Sequence, residues 1–116
     1  MNDRFRAARD FIYAEARLLE QRLFATLFEA APASGVLAAL SGFRNDDGGF
    51  GHGLEPDKRC PASLPVDVEL ALSVLDIAGI EDERLLMGAC NYLASVAGPD
   101  GGVALASAVI EDYPRA

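Results

Sequence analysis

Two acid-Gly-Gly-apolar stretches constrain this chain more than any other feature: DDGGF at 46–50 and PDGGV at 99–103, with Asp47 and Asp100 standing 53 positions apart. Such turns need backbone at positive φ, which glycine adopts without a steric penalty, and the preceding Asp can bond the turn's own backbone. Apolar residues recur at helical spacing before and between them. The period of about fifty residues suits helical pairs stacked as repeats, each Gly-Gly turn closing one unit.

The β-branched residues never alternate with polar ones over a useful length, so the expected fold is all-α, in a single domain spanning 1–116. Asn2 or Asp3 is placed to cap a long helix reaching about Ala30, where APASG breaks it; Phe5, Ala8, Ile12, Ala16, Leu19, Leu23 and Leu27 form its apolar face. Ser34 is expected to cap a second, short helix carrying Val36, Leu37, Leu40 and Phe43. After a Gly- and Pro-rich loop over 44–63, Ser63 is expected to cap a third, with Pro65 in its first turn and Gly79 as its stop. Asp82 caps a fourth, carrying Leu85, Leu86, Ala89, Cys90, Leu93 and Val96, with Met87 at or near the core. The tail from 103 has no period and reads as loop.

Charge excludes some partners. The net charge is −8, and residues 31–116 hold five basic residues against thirteen acids. An acidic body repels phosphate backbones and anionic headgroups, so neither nucleic acid nor a lipid surface is expected. No apolar run reaches the roughly 18–20 residues that span a bilayer. The N-terminus alternates Arg with acids and lacks an apolar signal core, and Cys60 and Cys90 form no disulfide framework; both features fit a cytoplasmic protein.

The stretch NDDGGFGHGLEPD, followed by PASLPVDVELALSVLDIAGI, resembles the α/α-toroid superfamily of terpene cyclases and protein prenyltransferases. Repeats there carry a Q-x-x-D-G-[GS]-[FW] signature between helices. Asp47-Gly48-Gly49-Phe50 matches its second half, and Asp100-Gly101-Gly102-Val103 matches more weakly; Arg44 and Ala97 stand at the glutamine position. GFGHGLEPD, with YPRA further on, is most similar to a bacterial prenyltransferase-like branch. The resemblance implies helical hairpins forming an arc of an incomplete ring, with a cavity for an apolar, isoprenoid-type molecule. It also implies that the arc is completed by further C-terminal hairpins or by a homodimer.

Within that resemblance, a catalytic reading places Asp67, His52 and Asp57 near the cavity mouth, with Phe50, Glu55 and Arg59 contacting substrate. The family's Asp-x-Asp-Asp acid has only a distant echo in VDVE at 66–69, and Asp57-Lys-Arg-Cys60 lacks the spacing of its zinc ligands. His52, Glu55, Asp57 and Cys60 fit no common zinc pattern either, so no metal or cofactor is expected. The structural alternative has Glu55 and Asp57 accepting from loop N–H groups, with Arg59 paired to one of them. Asp67 falls on the apolar side of its helix, near Ala71, Val74 and Ala78. A carboxylate there needs a partner or a cavity, unless it serves the helix N-terminus. A helical scaffold that binds without catalysis is the competing reading of the whole chain.

Overall fold

The computed structural model describes residues 2–105 and 107–116. The fold is all-α, with five helices and a short 3-10 segment, and no strand among the described residues. Helix α1 (Asp3–Glu15) opens on Asn2, whose Oδ1 accepts from Phe5 N at 2.7 Å.

The expected helix to Ala30 is two helices. Ala16 and Arg17 are extended, with ψ of 161° and 163°, and α2 covers Leu18–Phe28. Neither residue is a helix breaker; the interruption is tertiary. The Arg17 guanidinium donates to the carbonyls of Gly53 and Leu54 at 3.1 and 2.9 Å, pairs with Glu20 at 2.6 Å, and lies 5.4 Å from the Phe43 ring centre. Hydrogen bonds to charged groups contribute roughly 1.5–3 kcal/mol each, whereas helix propensities of ordinary residues differ by under about 0.7 kcal/mol. The tertiary bonds win. Phe24 then gathers the two helices together, its ring centre 5.6 Å from Phe5, 5.9 Å from Tyr13 and 5.1 Å from Phe28.

Helix α3 (Ser34–Ser41) packs on α2 and buries Val36 and Leu40; Ser34 is its first residue and makes no capping bond. Helix α4 (Pro65–Ile77) has Pro65 in its first turn and ends before Gly79 at φ +66°. Leu64 rather than Ser63 holds the cap position, because the Ser63 hydroxyl is bonded elsewhere. Helix α5 (Glu83–Val96) is capped by Asp82, whose Oδ1 accepts from Leu85 N at 3.0 Å. Its buried stripe is Leu85, Ala89 and Tyr92, so Cys90 and Met87 face outward instead of joining the core.

One buried apolar cluster runs from Leu19 of α2 through Val36 and Leu40 to Val68, Ala71, Leu75, Leu85 and Tyr92. Phe50 and Leu54, from the glycine-rich segment, sit within it at 0% exposure. The tail is more ordered than expected, with a 3-10 turn at Ala108–Asp112. The radius of gyration is 15.6 Å, above the roughly 13 Å of a compact chain this long, and the extents are 52 × 32 × 22 Å. The molecule is elongated. No helix among the described residues is long and apolar enough to cross a membrane.

Candidate functional site

The two Gly-Gly stretches adopt the same turn. Gly49 N donates to Asp47 Oδ1 at 2.9 Å, and Gly102 N to Asp100 Oδ1 at 2.9 Å. Backbone bonds Asn45 N to Gly49 O and Gly48 N to Asn45 O recur as Gly98 N to Gly102 O and Gly101 N to Gly98 O. Gly48 and Gly101 take φ of +84° and +82°. Their surroundings differ. Gly48 lies against the backbone of Gly88 in α5, so closely that a Cβ there would meet its carbonyl, and Phe50 is sealed in the core. Nothing packs within 4 Å of a Cβ on Gly101, and Val103 is 39% exposed.

The first turn anchors a braced segment. Gly51 N donates to Phe43 O, Leu64 N to Phe50 O and His52 N to Pro61 O, so the chain doubles back on itself across 43–64. Asp47 Oδ1 also accepts from the Ser63 hydroxyl at 2.6 Å, and the Tyr92 hydroxyl donates to Ser63 O at 2.8 Å. Burial, and then the nearby Asp47 and Asp67 carboxylates, push the Tyr92 phenol above its usual value. From the C-terminal end, Pro114 O accepts from Arg59 N, Ala116 N donates to Asp57 O, and Leu105 O takes Val66 N from the first turn of α4.

Asp67 is fully buried in the third position of α4, where the helix N-terminus favours an anion. Its Oδ1 accepts from Lys58 Nζ at 2.5 Å and from Glu55 N at 2.8 Å. Lys58 is itself buried and stands 3.9 Å from Glu55 Oε2. The partner demanded by an acid on an apolar face is therefore Lys58. Arg59 was expected to pair with Glu55 or Asp57. Instead, Arg59 donates to the carbonyls of Pro56 and Lys58, and forms no ion pair among the described residues. Glu55 does accept a loop amide, from Asp57 N at 3.2 Å. His52 is exposed at φ +57°, its Nε2 2.7 Å from Asn45 Oδ1. Asp57 is exposed and is held through its backbone. No hydrogen bond joins any two of His52, Asp57 and Asp67. Among the described residues no group of three or more His, Cys, Asp and Glu side chains could hold a metal ion.

A groove of about 310 Å³ separates α2 from α4. Leu19, Leu23, Leu70, Val74 and Ile77 form its apolar walls, with Arg17, Glu20, Pro56 and Ser73 around them. Glu20 gives one oxygen to Arg17, while its other, Oε2, is buried without a partner. Nothing in the residue spacing marks this groove, because α1 and α2 read as one rod with one inward face. Comparison of the chain with known protein families, with curated proteins and with solved structures finds no match.

Proposed function

We propose that this chain is a helical-repeat binding module that takes an apolar small molecule in the α2–α4 groove. The groove itself carries the reading: an apolar trough of ligand size with Arg17, Glu20 and Ser73 as the polar residues around it. The fitting ligand has a linear apolar body and a small polar head, such as an alcohol, for the polar residues at the rim. The resemblance to terpene cyclases and prenyltransferases makes an isoprenoid chain the first choice. Two equivalent turns 53 residues apart support the repeat on which that resemblance rests. The separate partners of His52, Asp57 and Asp67 favour binding over catalysis.

Calorimetry with a fifteen-carbon isoprenoid alcohol tests the proposal. Saturable binding is expected. Ile77→Glu, at a residue already 55% exposed, should weaken it at least about tenfold, or ~1.4 kcal/mol, with the circular dichroism spectrum unchanged. No saturable binding, or equal binding by the variant, contradicts the reading.

A second reading is self-association of the arc. Phe11, Leu18 and Phe28 are large apolar side chains exposed on α1 and α2, on an elongated body, and contiguous apolar surface commonly marks an interface. Sedimentation at micromolar concentration should then show a dimer, and a monomer contradicts it.

A further inference from the structure

A second cleft, of about 360 Å³, opens where the end of α3, the first Gly-Gly turn and the first turn of α5 meet. It is lined by Ser41, Arg44, Asn45, Asp46 and Arg84. Two of its five residues are arginines, in a chain that carries 18 acids against 10 basic residues. Neither Arg44 nor Arg84 has a carboxylate within 4.0 Å among the described residues. Arg44 Nε is buried without an acceptor. Its guanidinium fits beneath Gly88, where a Cβ would stand 2.7 Å from Nη2, so the absence of a side chain at 88 makes room for it. The Asn45 amide is already engaged, its Nδ2 with Pro61 O and Ser63 Oγ and its Oδ1 with His52.

We propose that Arg44 and Arg84 form a binding site for a phosphate group. Guanidinium forks present several N–H donors and bind phosphate oxygens with charge assistance. A phosphate monoester at neutral pH carries more charge and more acceptor oxygens than a carboxylate. Two cations without a carboxylate within 4.0 Å among the described residues answer that surplus, and Asp46 is the one acid among the cleft's lining residues. Arg44 stands where the resembling repeats carry glutamine, so the repeat's own turn supplies the cation. The cleft is separate from the α2–α4 groove, with which it shares no lining residue.

The test is a nuclear magnetic resonance titration of the whole chain with inorganic phosphate, against sodium chloride at matched ionic strength. Phosphate should shift the side-chain Nε–H resonances of Arg44 and Arg84 saturably, and chloride should not. Arg44→Met and Arg84→Met should each lower the affinity at least about tenfold. Gly88→Ala, which displaces the Arg44 guanidinium without altering charge, should weaken binding several-fold while the backbone spectrum stays folded. Shifts equal to those with chloride, or affinity unchanged in the arginine variants, would overturn the site. Malonate binding as tightly as phosphate would overturn the phosphate assignment.

Discussion

Lys58 Nζ lies 2.5 Å from Asp67 Oδ1, with both side chains closed off from water. The bond ties the 43–64 segment to the first turn of α4, and the amide of Glu55 joins it on the same oxygen. Asp67 is thus the internal fastening of the Gly-rich segment. Its second oxygen is buried without a partner, which leaves the pair sensitive to loss of either charge.

Removing one member of a buried pair strands the other, at a cost of roughly 3–5 kcal/mol. Asp67→Asn and Lys58→Met should each destabilise by about that much in urea unfolding. Lys58→Met combined with Asp67→Leu should cost clearly less than the two single losses added together. A loss within about 0.5 kcal/mol for Asp67→Asn would show that the pair does not hold the segment.

Gly48 and Gly88 face each other but should respond differently to alanine. At Gly48 the positive φ and the Gly88 carbonyl both oppose a Cβ, so Gly48→Ala should cost about 1–3 kcal/mol. At Gly88 the new methyl meets only the mobile end of Arg44 below 3.0 Å, and alanine in a helix interior is favoured by about 1 kcal/mol. Gly88→Ala should therefore lie within about 1 kcal/mol of the parent. Thermal melts compare the two directly.

Tyr92 should contribute to a loss of stability at alkaline pH. Its phenol is raised above 10.0, first by burial and then by Asp47 and Asp67. Above about pH 10 the unfolded chain releases this proton before the folded chain does, so stability is complete below that pH and falls as pH rises beyond it. Tyr13 is raised too, chiefly through its hydrogen bond to Glu29, so Tyr92→Phe should flatten part of the fall. At neutral pH the same change loses the bond to Ser63 O, at about 1 kcal/mol. Unfolding free energies between pH 8 and 11 check both effects.

The sequence carried its helices where the local signal was complete. Asn2 and Asp82 cap as their residue types dictate, Pro65 and Gly79 bound α4, and the two DGG turns are superposable in their bonds. It failed where the cause was distant. Arg17 breaks a helix with no local breaker because its bonds lie with Gly53 and Leu54, 36 and 37 residues away. Cys90 and Met87 looked inward because the apolar face of α5 is broader than the stripe that Leu85, Ala89 and Tyr92 bury. At the site, the period of α4 showed that Asp67 faces the core, yet it left open whether the carboxylate meets a partner, a cavity or only the helix N-terminus. Lys58 became identifiable only once 43–64 had folded against α4.

Native-state hydrogen exchange at the amides of Gly51, Glu55 and Leu64 tests most directly whether 43–64 is part of the core. These amides bond Phe43 O, Asp67 Oδ1 and Phe50 O, so they should exchange nearly as slowly as the amides of Ala71 and Val74 in α4. Exchange at the rate of an unstructured chain would contradict the account.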